Sequence, residues 1–239
     1  MNLIKYDDVT KKNSDVMIEV IIWMFMTLGI GSLSAVIAKK YGVEYIIGMF
    51  ACFTVIANII ASKIVVFGPF SVPAAVLAYS TTFLLTDFLS ELYSEEEALK
   101  AVSIGFISNI VLVVFTWVAL QWQGASFWQG QSAFESVFGI VPRIVFGSMI
   151  AYIVSQNLDV KIFMFLKRKY PKHLWLRNNA GTMISQFVDT LIFITIAFYG
   201  TNSLEVLFSL IIGQYIVKWI IALSDTPFLY LIKYIYSKY

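Results

Sequence analysis

"WLRNNAGTMISQFVDTLIFITIAFYG", residues 175–200, decides the fold. From Asn179 to Gly200 it carries one charged side chain, Asp189, in a run long enough to cross a ~30 Å hydrocarbon core as a helix. Gln186 and Asp189 are three residues apart and so share a helix face. Thirty residues earlier, "SQNLDVKIF" (155–163) has the pattern of "SQFVDTLIF" (185–193), Ser-Gln-x-x-Asp-x-x-Ile-Phe in both. Two apolar stretches that each hold a glutamine and a carboxylate read as membrane helices with a polar face turned inward. On antiparallel neighbours the two copies are related by a local pseudo-two-fold, as in bundles built from inverted repeats.

The rest of the chain has the same character. It has 239 residues, 59% hydrophobic and 13% charged, against roughly 45–50% and 25% in soluble domains. Seven apolar spans lie near 16–38, 44–66, 72–93, 98–121, 142–166, 177–200 and 206–235. The expected fold is all-α, a polytopic membrane helix bundle of about seven transmembrane helices. Short connections and the lack of a linker make 1–239 a single transmembrane domain, with residues 1–15 a polar N-terminal segment. That segment has no apolar region or cleavage site of a secretory signal. One cysteine (Cys52) and one histidine (His173) exclude an intrachain disulfide and a His/Cys zinc site. No metal or other cofactor is expected.

The basic residues read as topology signals and not as a nucleic-acid surface, since the net charge is only +2. "KRKYPKHLWLR" (167–177), Lys39, Lys40, Lys233 and Lys238 fall on one side, while "FGPFSVP", "WQGASFWQGQSAFES" and "GTNSLE" on the other hold no Lys or Arg. The positive-inside rule then makes the C-terminus cytoplasmic. Seven spans put the N-terminus outside the plasma or inner membrane. The three lysines of the N-terminal segment count against that, and a peripheral or re-entrant first span would move it inside. Ser94 with Glu97 reads as a capping box. Gly29 and Gly31 permit close helix packing.

Polar residues inside the spans are the functional signal. Asn58, Asn109, Gln156, Gln186, Asp189 and Lys218 lie near span centres. Asp87 and Glu91 share one face of span three, and Asp159 and Asp225 lie one to two turns inward of centre. An ionised side chain at the bilayer centre costs about 2.5–3.5 kcal/mol on insertion scales, and such groups usually line a solute path. Asp189 and Lys218 sit at similar depth on neighbouring spans and either neutralise one another or hold a solute. Lys63 snorkels or contacts solute, Arg143 anchors the outer face or supports the site, and Asn109 is interhelical glue or a ligand contact. Amides and carboxylates with aromatics in reach (Tyr79, Phe83, Trp117, Phe187) suit a flat heterocycle with a guanine-like edge. An amino acid, a vitamin or an ion stays open on composition alone.

Residues 175–200, "ANIIASKIVVFG" (57–68), "LLTDFLSELYS" (84–94) and "IVKWIIALSDTPFLYL" (216–231) resemble the queuosine precursor transporter family, also called vitamin-uptake-like transporters, over about 44–235. The resemblance implies a six-helix core preceded by an N-terminal span, and uptake of 7-deazaguanine bases. Its motif falls on Asn58, Lys63, Asp87, Glu91, Arg177, Asn178, Gln186, Asp189 and Lys218. The chain departs from the family pattern at Ser94, where a glycine is usual, and in "SVPAAVLAYS" before span three. The leading expectation is a transporter in which Asp189 and Glu91 accept from the base and Gln186, Gln156 and Asn58 complete its edge. Asp87 belongs to the same candidate set, and Lys218 holds the carboxylates ionised. Lys63, Asn109, Arg143, Asp159, Arg177, Asn178 and Asp225 are supporting residues. The alternative is the substrate-capture subunit of an energy-coupling-factor-type importer, which needs a partner subunit. A homo-oligomer stays open. No phosphate-binding loop is present for ATP hydrolysis, and an intramembrane protease lacks a bundle histidine or a Gly-x-Gly-Asp signature.

Overall fold

The protein is described by a computed structural model that covers the backbone of residues 3–170 and 174–238. Side chains are described for these residues except 3–17, 156, 159, 160, 163, 164, 167 and 174–182. The elements in chain order are α1 (Leu3–Tyr41), α2 (Glu44–Ile60), β1 (Ile64–Phe67), β2 (Phe70–Pro73), α3 (Val76–Leu92), α4 (Glu95–Gln121), α5 (Gln131–Phe138), α6 (Val141–Lys169), α7 (Leu174–Phe198) and α8 (Leu204–Ser237). Among the described residues, four segments are long and apolar enough to cross a membrane: Ile18–Tyr41, Glu95–Gln121, Gln131–Ser155 and Leu204–Ser237; Glu44–Ile60 and Met183–Phe198 are shorter and apolar. The chain is a helical membrane bundle.

The chain forms two compact units, Met1–Ser108 with Ile220–Tyr239, and Asn109–Trp219. In the first unit α1, α2 and α3 pack on one another. The buried face of α3 is Thr81, Leu84, Leu85, Phe88 and Leu89, the 3.6-residue pattern of a helix with one apolar stripe. Gly31 of α1 lets α3 come close, since a Cβ there would lie 2.7 Å from Thr81 Cγ2; Gly29 has nothing within 4 Å. The close packing expected of both glycines therefore belongs to Gly31 alone. Ser94 Oγ accepts from Glu97 N–H at 3.2 Å, the N-cap half of the expected capping box, while the Glu97 carboxylate pairs with Lys100 at 2.6 Å and does not return to Ser94.

One expectation fails in this unit. Span two does not stay helical to 66, and span three does not begin as a helix at 72. The chain instead forms a hairpin in which Val65 faces Val72 and Phe67 faces Phe70. "IVVF" is β-branched and aromatic, and Gly68 turns the chain at φ +59°, a conformation open to glycine without strain. Backbone pairing satisfies the hairpin's N–H and C=O groups, and its base closes where Ala74 N–H donates to Lys63 O at 2.8 Å. Helices α2 and α3 are thereby shortened to 17 residues each, about 25 Å at 1.5 Å per residue.

In the second unit α6 and α7 form the main packed pair. They run antiparallel: Arg143 and Gly147 of α6 meet α7 at Ile196–Tyr199, whereas Ser155 meets Asp189. A Cβ on Gly147 would lie 3.2 Å from Ile196 Cγ2 and 3.5 Å from the Ala197 nitrogen, so this glycine sets the approach of the two helices. Ala151, Ile144, Ile194 and Ala197 are fully buried between them.

Candidate functional site

The close α6–α7 contact puts small and polar residues where a soluble core would hold leucines. Ser155, Ser185, Gln186, Asp189 and Thr190 are all buried, and so are Gln214 and Lys218 on α8. Lys218 Nζ lies 2.5 Å from Asp189 Oδ2, and Ser155 Oγ donates to Asp189 Oδ1 at 3.3 Å. The side chains of Lys218 and Asp189 are 2% and 1% exposed. Both ions are thus removed from solvent, a state that holds only while each compensates the other. The serine that opens the first copy of the nonapeptide touches the aspartate of the second, so the repeat has a physical consequence in the packing.

Around this pair the chain leaves hydrogen-bonding capacity unused. Gln186 Oε1, Thr190 Oγ1 and Gln214 Oε1 are buried and have no hydrogen-bond partner among the described residues. Among the described residues only Ser80 Oγ and Glu97 Oε2 share that property. A buried polar atom without a partner costs about 1–3 kcal/mol, and natural proteins rarely tolerate several together unless water or a ligand completes them. Gln214 stands one helical turn before Lys218, and Gln186 and Thr190 flank Asp189 on α7. Tyr215 fastens α8 to α7: its hydroxyl donates to Met183 O at 3.3 Å and its ring meets Phe187 edge-on at 5.4 Å.

The other candidates have different surroundings. Asn58 and Asn109 are buried, 5% and 3% exposed, on α2 and α4. Asp87 and Glu91 do share a face of α3, as expected, but it lies at the edge of the Leu84–Leu85–Phe88–Leu89 stripe. Both are exposed within the chain, which corrects the expectation that they are buried. Glu91 forms an ion pair with Lys233 near the end of α8. Asp225 is half-buried on α8, two residues before Pro227. Lys63 is exposed and stands at the foot of the hairpin instead of inside a helix.

Arg143 is half-buried and spends its guanidinium on backbone: Nε donates to Ile196 O at 2.6 Å, and a terminal nitrogen donates to Tyr199 O. It caps the carbonyls at the end of α7, where a cation also complements the helix dipole. The side chains of Gln156, Asp159, Arg177 and Asn178 lie outside the described residues. Among the described residues no group of three or more His, Cys, Asp or Glu could hold a metal. Sequence reasoning missed Gln214, Thr190 and Ser155. The spacing in "GQYIVKW" (213–219), an amide four residues before a buried lysine, was the available signal for Gln214.

Comparison with known proteins bears on this geometry. A family profile described as "Putative vitamin uptake transporter" matches residues 73–232. The chain is 36% identical over 182 residues to a "Probable queuosine precursor transporter" of Bacillus subtilis, covering 75% of this chain and 80% of that one. It is 29% identical over 136 residues to the "Queuosine precursor transporter" of Escherichia coli, covering 53% and 59% of the two chains. A "Probable queuosine precursor transporter" of Haemophilus influenzae is 28% identical over 123 residues, covering 52% and 50%. No solved structure matches. The chain belongs to the queuosine precursor transporter family, and is a multi-pass membrane transporter and not an enzyme.

Proposed function

We propose that this protein imports 7-deazaguanine bases, the precursors of queuosine, across the cell membrane, and that the base binds beside the Asp189–Lys218 pair. The observation that carries the reading is a buried, compensated carboxylate bordered by buried polar atoms with no partner among the described residues. A guanine-type edge presents a ring N–H and an amino group side by side. Asp189 accepts from Ser155 at Oδ1 and from Lys218 at Oδ2. On binding, the Asp189 carboxylate takes both donors of such an edge, with Lys218 still beside it. Gln186 offers its amide to the remaining groups of the ring.

The relatives named as queuosine precursor transporters support the solute class. The family membership supports transport by the chain's own bundle. The experiment is complementation. A bacterium that lacks both queuosine synthesis and its own precursor importer is given this protein and nanomolar 7-deazaguanine base, and queuosine is assayed in its tRNA. Restored modification is expected. A folded, membrane-inserted protein that restores none would overturn the proposal.

A further inference from the structure

We propose that Gln214 is a specificity-determining residue that reads the exocyclic amino group of the solute. The inference rests on the function proposed above and extends it to a residue that neither the repeat nor the family motif singles out. An amino group on a heterocycle has two N–H donors. In the arrangement described, one points with the ring N–H toward the Asp189 carboxylate, and the other needs a second acceptor. Gln214 is 4% exposed, and its Oε1 has neither solvent nor a partner among the described residues. It lies on the Lys218 face of α8, one turn away from the lysine that touches Asp189. An orphaned carbonyl in that position is an acceptor held ready for a donor that the protein does not itself supply.

The rest of the local packing keeps it there. Tyr215, the next residue, is held by Met183 O and by the Phe187 ring, which fixes how α8 presents Gln214 toward α7. Thr190, fully buried with an unpartnered hydroxyl, lies next to Asp189. A hydroxyl both donates and accepts. It therefore tolerates either solute form, whereas Gln214 Oε1 can only accept. A solute without the amino group leaves that carbonyl buried and unpaired, and sites built to pair a polar group reject analogues that lack it far more strongly than apolar pockets do.

The test compares uptake of 7-deazaguanine with uptake of 7-deazahypoxanthine, the same ring without the amino group. Both are measured in cells carrying wild type, Gln214→Met or Gln214→Asn. The wild type is expected to prefer the amino-bearing base by roughly tenfold or more. Gln214→Met is expected to bring the ratio to about threefold or less, because the penalty for an unpaired carbonyl goes with the carbonyl. The ratio cancels protein abundance, so a structural role for Gln214 would lower both rates and leave it unchanged. Gln214→Asn keeps the amide but shortens its reach, and is expected to narrow the ratio as well. A wild-type ratio that both variants retain overturns the assignment of Gln214 while leaving the transport function standing. Wild type that takes up neither base overturns the proposed function, and with it the assignment.

Discussion

Two ion pairs in this molecule use the same chemistry in opposite surroundings. Lys218 and Asp189, between α8 and α7, are 2% and 1% exposed. Lys233 and Glu91, between α8 and α3, are 59% and 46% exposed. An exposed pair is worth about 0–1 kcal/mol and is weakened by salt. A buried pair gains no assured stability over apolar residues of the same shape, yet breaking it leaves an uncompensated charge at a cost of about 3–5 kcal/mol. The buried pair is thus an expensive way to join two helices, and its retention beside three unpartnered polar atoms is best explained by use. The exposed pair is explained by holding the ends of two helices together, with Tyr93 and Tyr236 hydrogen-bonded at 2.9 Å alongside it.

The largest effect that could break this comparison is at Lys218. Lys218→Met strands Asp189 and is expected to destabilise the purified protein by about 3–5 kcal/mol, read from unfolding in detergent. The double variant Asp189→Leu with Lys218→Met removes both charges and is expected to recover stability to within about 1 kcal/mol of wild type, with uptake still absent. A double variant that transports normally would show the pair to be structural.

An intermediate effect is expected at Arg143, which is half-buried and bonded to backbone carbonyls. Arg143→Met uncaps the end of α7 and is expected to cost about 2 kcal/mol in the same unfolding assay. The smallest effect is expected at the exposed pair. Glu91→Gln should change stability by no more than about 1 kcal/mol. If that variant nevertheless stops uptake while unfolding normally, Glu91 lies on the solute path and burial is the wrong criterion for choosing site residues.

Much of this was legible in the sequence because a membrane sets a harsh rule. Apolar runs of about twenty residues have few alternatives to a helix, so the spans around α1, α4, α6, α7 and α8 were readable from length alone. The hairpin was not, because Ile64–Phe67 is as greasy as any helix and its β-branched residues look the same to a hydropathy count. Gly68-Pro69 was the mark of a turn that shortened both neighbouring spans. Asp189 and Lys218 were readable because charges in oil must find each other.

Asp87 and Glu91 were read as inward-facing although they only border the buried stripe of Leu84, Leu85, Phe88 and Leu89. Polarity within a span was allowed to outweigh the periodicity beside it. Gln214 escaped because it lies nearly two turns before the centre of its span, 206–235, and only its place one turn from Lys218 distinguishes it.

If the solute binds at the buried pair, its uptake depends on the Asp189 carboxylate. The most direct test is uptake of labelled 7-deazaguanine by cells carrying Asp189→Asn, matched to wild type for protein in the membrane. The substitution keeps size and one acceptor oxygen but removes the charge and the second acceptor. The account predicts that uptake falls at least about tenfold, the loss of one charge-assisted hydrogen bond, while a Glu91→Gln control stays near wild type. Uptake by Asp189→Asn equal to wild type would contradict the claim.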